Sequence, residues 1–290
     1  MDLVWRPTVD ASCFHAASAL VDGRSLINAE LTAAIESTVE DLDAALSNDA
    51  IDRNVFFDHL VPQSTAAASS TELARLTLMK TVGHDRAESM TVQYADLLRN
   101  LRRAYTTARP SLADELPGRG APLEQQWNAR GPGLINQIGR LTDEVLLVER
   151  AEVLLVEPVL GGGGAAHMLY NSVRIEAVLA NPEDRLPESL RLAWLLALLN
   201  FDLPMLSERL HRDRLRIVGP LSMLPVVLTA GEYVEVAACD VASIDAAIAA
   251  WRCKLPDATR VADTLLTWWE TYQSRRPSWS IALAALDEML

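Results

Sequence analysis

The chain has 290 residues, 50% of them hydrophobic and 22% charged, which excludes a globally disordered chain and allows one large domain or two small ones. Its formal net charge is −13. A chain this acidic repels the phosphate backbone of nucleic acids, so no nucleic-acid partner is expected unless basic residues gather on one face.

Helices are predicted through the N-terminal third of the chain. Apolar residues recur at helical spacing after Asn28, which can cap the start of a helix. A second helix is predicted to open at a capping box formed by Ser69 and Glu72. A third is predicted to begin at Ser89 and to end at Pro110, because proline cannot continue a helix.

A boundary between two parts of the chain is predicted at residues 110–122, where three prolines and two glycines occur. This divides the chain into an N-terminal helical part, residues 1–118, and a second part, residues 119–290. The second part would hold the strands, a Gly-rich turn and the C-terminal helices. One continuous domain is the alternative.

A hexapeptide with the sequence Glu-Val-Leu-Leu-Val-Glu occurs twice, at residues 144–149 and again at residues 152–157. Two buried strands are predicted here, because valines are unfavourable in a helix and Pro158 would disrupt one. The intervening Arg150 and Ala151 are poor residues for a tight hairpin turn, and a continuous helix is the competing interpretation.

The rest of the chain is predicted to be helical, beginning with a helix from Ala165 to Leu179. Near the C-terminus, Asp257 and Ser278 are plausible N-caps. The predicted fold class is therefore mainly α, an irregular multi-helix array with a small central strand pair at about residues 144–160.

The cysteines and the N-terminus predict a cytoplasmic protein. Cys13, Cys239 and Cys253 form an odd set without a Cys-x-x-Cys motif, which gives neither a disulfide framework nor a zinc site. The N-terminus lacks a basic stretch followed by an apolar one, so no signal peptide is expected. The apolar run at residues 217–231 is shorter than the ~20 residues of a spanning helix. No metal, no cofactor and no membrane contact are expected.

Four consecutive glycines, Gly161, Gly162, Gly163 and Gly164, follow the predicted strands. A Gly-rich turn between a strand and a helix exposes backbone N–H groups beside the positive end of the helix dipole, which suits an anion. A dinucleotide-binding loop is rejected, because no second strand ending in an acidic residue follows. A nucleotide-hydrolase phosphate loop is rejected, because no Lys-Ser/Thr follows the glycines. Simple close packing or a flexible turn is the favoured alternative to an anion-binding turn.

Three polar residues in the predicted helix after the glycines form the next candidate site. His167, Asn171 and Arg174 are spaced by four and then three residues, which places them on one helix face. A histidine here could act as a general base, and an arginine could hold a carboxylate or phosphate. An ordinary polar helix surface is the competing interpretation and the favoured one.

A second candidate loop, residues 127–133, carries Asn128 and Arg130 between a tryptophan and a Gly-Pro-Gly turn. A rigid turn with such side chains resembles the way in which binding loops are built. A helix that ends at Arg130, with a new one after Pro132, explains the same residues without a ligand. If this loop packs beside the Gly-rich turn, Arg130 and His167 would converge.

Two hypotheses about function remain. The first is a non-enzymatic helical protein that binds a protein partner or forms a homo-oligomer. The second is an enzyme or a binder of a small anionic ligand, whose pocket joins the candidate loop to the Gly-rich turn. The first is slightly favoured, because the chain lacks an identifiable nucleophile, metal-ligand set or cofactor loop. The sequence does not decide whether the chain is an enzyme.

Overall fold

In a computed structural model, which describes residues 1–256 and 258–290, the chain is 65% helical and contains a small four-stranded sheet. The predicted class, mainly α with a small sheet, is confirmed. The helices of the described residues are α1 (Val9–Val21), α2 (Ala29–Asn48), α3 (Arg53–Gln63), α4 (Ser70–Thr81), α5 (His84–Ala108), α6 (Leu112–Leu141), α7 (Glu188–Ala197), α8 (Pro204–Ser207), α9 (Arg212–Tyr233), α10 (Val241–Ala250), α11 (Val261–Arg275) and α12 (Trp279–Met289).

The sheet joins the N-terminus of the chain to its middle. Its strands are β1 (Asp2–Pro7), β2 (Arg150–Val156), β3 (Gly164–His167) and β4 (Ser172–Glu176), in the spatial order β1-β2-β4-β3. Strands β1, β2 and β4 are parallel, and β3 pairs antiparallel with β4. The carboxyl ends of the three parallel strands therefore meet at one edge of the sheet.

The repeated hexapeptide does not form a pair of strands. The first copy begins with a short 3-10 helix, Glu144–Leu146, and only the second copy lies in β2. The neighbours of β2 are β1 and β4, both parallel to it, so the strand pair predicted for residues 144–160 is corrected to a single strand. The Val-Leu-Leu-Val run of β2 is buried throughout, because helices cover both faces of a parallel sheet.

The helix predicted from Ala165 to Leu179 is wrong. Strand β3, a 3-10 turn at Met168–Tyr170 and strand β4 take its place. Strand β4 reads Ser-Val-Arg-Ile-Glu, in which apolar β-branched residues alternate with polar ones. That is the period of two expected for a strand, not the helical period. His167, Asn171 and Arg174 therefore share no helix face.

Local capping signals were reliable. The Asn28 side chain accepts a hydrogen bond from the backbone N–H of Leu31 at 3.0 Å and starts α2. The Ser69 hydroxyl accepts one from the N–H of Glu72 at 3.1 Å and starts α4. The Glu72 carboxylate reaches back to the N–H of Ala68 at 2.8 Å. Both predicted helix starts are confirmed.

Two other predicted helix starts differ from the structure. Helix α5 begins at His84 rather than at Ser89, directly after Gly83, whose φ of +85° suits glycine. Ser278 precedes α12 but makes no capping hydrogen bond through its side chain. The predicted cap at Asp257 lies outside the described residues.

Helix α6 runs straight through the predicted boundary at residues 110–122 and through the candidate loop at residues 127–133. It contains three prolines, each of which removes a backbone hydrogen bond and disfavours a helix interior. The helix forms nevertheless, because one side of it packs on β1, β2, α7 and α9. The division of the chain into two parts stays a prediction, and the predicted boundary is helical except for residues 110 and 111, which belong to the short connection between α5 and α6.

The two faces of the sheet differ in polarity. Helices α6 and α7 cover the face with Val153, Leu155, Val173 and Ile175, and a Cβ atom on Gly120 of α6 would overlap Leu155. Helices α1 and α3 cover the opposite face, which carries the polar residues of β3 and β4. A polar sheet face under two helices is unusual, and it contains the candidate site.

Helix α9 is long and apolar enough to cross a membrane, with a mean hydropathy of 1.2 over its best window. However, 78% of that window is buried inside the protein. This burial is that of a core helix and fits a soluble protein.

Candidate functional site

The backbone N–H groups of the Gly-rich turn bind a side chain of the protein itself. Glu176, the last residue of β4, accepts hydrogen bonds from Val159 at 3.1 Å, Leu160 at 2.8 Å and Gly162 at 2.6 Å. Successive N–H groups of this kind form a nest for an anion. A Cβ atom on Gly163 would lie 3.3 Å from the Glu176 carboxyl group, which explains the glycine. The turn is thus an anion site, and Glu176 fills it.

A histidine from α1 completes the set of donors around Glu176. His15 donates its Nε2–H to Oε1 of Glu176 at 2.8 Å, and both side chains are buried. Burial alone would raise the pKa of Glu176, but the hydrogen bonds from His15 and from the backbone outweigh it and hold the pKa below its usual value. Burial lowers the pKa of His15, and the hydrogen bond to Glu176 opposes this only in part. His15 is therefore neutral near pH 7, and its Nδ1 is an acceptor.

Three more polar side chains lie on the same polar face of the sheet as Glu176. His167 of β3 stands directly opposite Ser172 of β4, and Arg174 follows two residues later on the same face. We call His15, His167, Ser172 and Arg174 the buried polar cluster. Six of its atoms are buried without a hydrogen-bond partner among the described residues: His15 Nδ1, His167 Nδ1 and Nε2, Ser172 Oγ, and Arg174 Nε and Nη1.

Arg174 and His15 lie within electrostatic range of His167. Burial lowers the pKa of His167 well below its usual value, and the charge of Arg174 lowers it further, with smaller effects from His15 and His59. The backbone of Asp58 lies near enough to oppose this shift, but not in hydrogen-bonding geometry. Buried polar groups in native proteins are nearly always hydrogen-bonded, so six such atoms in one place indicate a site that something else completes.

Arg174 is the charged group of the cluster. It makes no ion pair with any residue in the described part of the chain, and burial lowers its pKa while Asp58 opposes the shift. The side chain as a whole is only partly buried, although Nε and Nη1 are closed to solvent. Solvent therefore reaches the rest of the side chain.

We call the surface between α3 and the turn that joins β3 to β4 the mouth of the proposed site. The hydroxyl of Tyr170 in that turn is 2.7 Å from Nδ1 of His59 on α3. Asp58 beside it is exposed, yet partial loss of hydration raises the pKa of its carboxyl group. Three basic side chains oppose that shift: Arg174, Arg216 and Lys254.

The residues predicted from the sequence are only partly brought together. His167 and Arg174 meet on the sheet, whereas Asn171 is exposed at the turn with a φ of +43°. Asn128 and Arg130 are exposed on α6. Gly120 of α6 contacts the carboxyl end of β2, and Arg130 lies ten residues, or about 15 Å, further along that helix. The candidate loop and the Gly-rich turn therefore lie apart.

Sequence reasoning missed His15, Ser172 and Glu176. His15 lies in an apolar segment without a motif, 161 residues away from its partner Glu176. Under the helical period, Glu176 should point away from His167 and Arg174. The period of two in β4 would have placed Ser172, Arg174 and Glu176 on one face.

Within residues 1–256 and 258–290, no three His, Cys, Asp or Glu side chains are arranged to hold a metal ion. Comparisons with protein-family models, curated proteins and solved structures find no match to this chain. A function is therefore inferred from its residues alone.

Proposed function

We propose that the protein binds a small anionic ligand at the buried polar cluster. The observation that carries this proposal is Arg174, a guanidinium with two buried nitrogens and no counterion in the part of the chain that the structure describes. Burying a cation without a partner costs several kcal/mol. An anion held by the two nitrogens would offset that cost and would satisfy them both.

The surroundings of Arg174 favour an anion, although the chain as a whole is acidic. The positive charge of Arg24 lowers the pKa of Arg174, and Arg216 and Lys254 lie close enough to affect Asp58. The nearby carboxylates are Asp58, Asp22 and Glu176. Glu176 already accepts hydrogen bonds from His15 and the Gly-rich turn, and Asp58 lies at the mouth. Clustered positive charge raises the local concentration of anions and speeds their binding.

The other expectations from the sequence stay predictions. A protein partner, a homo-oligomer and a cytoplasmic location are compatible with this proposal, and no contact in the described residues favours one of them over the anion site. A reaction at the site is not part of the proposal.

The test is binding of simple anions to the purified full chain, measured by thermal unfolding and calorimetry. A ligand at 100 times its Kd stabilises the folded state by about 2.7 kcal/mol, which shifts the unfolding temperature by several degrees. We expect at least one of phosphate, sulfate, succinate and acetate to do so. Chloride at matched ionic strength separates specific binding from screening.

Arg174→Gln should abolish this shift, whereas Arg130→Gln should leave it unchanged. The two substitutions are matched, because each removes one guanidinium and Arg130 is exposed on α6. Arg174→Lys keeps the positive charge but loses the paired N–H donors of the planar guanidinium, and it should bind the anion with intermediate affinity. Circular dichroism checks that the variants fold. If no anion binds, or if Arg174→Gln binds as tightly as the unchanged chain, the proposal fails.

A further inference from the structure

The buried polar cluster presents both donors and acceptors, and this mixture selects among anions. The donors are Nε and Nη1 of Arg174, the hydroxyl of Ser172 and one ring N–H of neutral His167. The acceptors are the other ring nitrogen of His167 and Nδ1 of His15. Nδ1 of His15 carries no hydrogen because the ring N–H is at Nε2, which donates a hydrogen bond to Oε1 of Glu176 at 2.8 Å.

Common anions differ in how they match such a set. A carboxylate has two oxygens in one plane and no proton to donate. Sulfate has four oxygens in a tetrahedron but is unprotonated at neutral pH. A singly protonated phosphoryl group has tetrahedral oxygens that accept and one P–OH that donates. Only the last of these satisfies donors and acceptors on several sides together.

Building on the proposed anion site, we infer that its ligand is a protonated phosphoryl group, as inorganic phosphate or, below its second pKa of about 6, as a phosphate monoester. Its oxygens accept from Arg174 and Ser172, and its P–OH donates to Nδ1 of His15. The remaining substituent of a monoester points toward the mouth between α3 and Tyr170. The side chains at the mouth move aside as the ligand enters, because Nε and Nη1 of Arg174 are closed to solvent.

Asp58 supports the same selection independently of His15. Its carboxylate is exposed at the mouth, within electrostatic range of Arg174. It repels doubly charged sulfate more strongly than a singly charged, protonated phosphoryl group. The acceptor Nδ1 of His15 and the charge of Asp58 therefore both act against sulfate and in favour of phosphate.

The experiment compares inorganic phosphate, phenyl phosphate, sulfate and succinate by calorimetry at about pH 5.5, where a phosphate monoester is singly protonated, with the full chain dialysed free of phosphate. Phosphate and phenyl phosphate should bind, and sulfate should bind at least about tenfold more weakly, since an unmatched buried acceptor has a cost of that order. Equal binding of phosphate and sulfate, or binding of succinate alone, overturns this inference and leaves the anion site standing. If no anion binds, the proposed function fails as well.

His15→Gln tests the acceptor directly. The glutamine amide can still donate to Glu176, as Nε2 does, but its acceptor oxygen is attached to Cδ and does not occupy the position of Nδ1, which is attached to Cγ of the histidine ring. Phosphate binding should weaken about tenfold while sulfate binding stays constant, and His84→Gln, an exposed histidine on α5, should change neither. An equal loss for phosphate and sulfate would mean that His15 only supports the fold, and would overturn its assigned role.

Asp58→Asn provides the second variant, at an exposed position where folding is not at risk. It removes the negative charge at the mouth and should strengthen sulfate binding more than phosphate binding. An unchanged ratio of the two affinities would contradict the part assigned to Asp58.

Discussion

Replacing Glu176 with glutamine tests the arrangement on which the site depends. Oε1 of Glu176 accepts from His15, Val159 and Leu160, and Oε2 accepts from Gly162 at 2.6 Å. Glutamine keeps one acceptor oxygen but puts an NH₂ group where Oε2 stands. The N–H of Gly162 then faces another donor, and the three remaining hydrogen bonds lose their charge.

The magnitude follows from these four hydrogen bonds. An unsatisfied buried N–H costs about 1–3 kcal/mol, and a hydrogen bond to a charged group exceeds a neutral one by about 1 kcal/mol. The gross loss is therefore about 5 kcal/mol. Burying a neutral amide instead of a carboxylate recovers part of it, and we expect a net destabilisation of about 3 kcal/mol, a large fraction of the stability of an ordinary domain.

Urea unfolding measures this loss as a lower midpoint at an unchanged slope. Glu152→Gln is the matched control, because Glu152 lies on the same sheet face but pairs with the exposed Arg6 at 2.8 Å. Exposed ion pairs contribute at most about 1 kcal/mol, so this control should change little. If Glu176→Gln lost no more stability than Glu152→Gln, the buried carboxylate would not hold the Gly-rich turn.

Two further predictions concern packing and pH. Gly120→Ala should destabilise the protein by about 1–3 kcal/mol, because the new Cβ atom overlaps Leu155. Gly118→Ala places its Cβ atom where no other atom lies within 4 Å, and it should stabilise α6 by up to about 1 kcal/mol. Thermal unfolding of both variants measures these effects, and equal shifts of the unfolding temperature would contradict the packing of α6 on the sheet. Burial lowers the pKa of His167 well below 6.5, so its stabilising contribution is complete above pH 6.5 and is lost as the pH falls. Burial raises the pKa of Glu188 from 4.5 to about 7, so its contribution is present below pH 4.5 and is lost as the pH rises to about 7. Between pH 5 and 7, the urea midpoint should therefore rise less steeply with pH in His167→Gln than in the unchanged chain, and more steeply in Glu188→Gln. Changes of slope in the opposite directions would refute the lowered pKa of His167 and the raised pKa of Glu188.

The helical framework was predictable from the sequence because its signals are local. Asn28 and Ser69 cap helices through residues three positions away, and the apolar spacing extends within one element. The sheet was not predictable in the same way. Strand β1 pairs with β2 across a separation of about 150 residues, and nothing within residues 2–7 reveals that partner.

Part of the candidate site was predicted from the sequence, but from a helix that does not form. His167 and Arg174 were singled out as neighbours on a helix, but they are neighbours across a β3–β4 pair. The alternation in residues 172–176 carried the correct signal, and the glycines before it suggested a helix start instead. His15 had no signal in the sequence, because only the packing of α1 on the sheet brings it to Glu176.

The occupied Gly-rich turn is one reason to place the proposed ligand site on the face of the sheet and not at its edge. In folds with parallel strands, ligands usually bind beyond the carboxyl ends, often on N–H groups of a turn. Here the carboxyl end of β4 supplies Glu176, which occupies the N–H groups of the Gly-rich turn. Because Glu176 is satisfied from that side, His15 is fixed with its free Nδ1 in the buried polar cluster. The occupied turn would therefore hold His15 in place as one member of the proposed anion site.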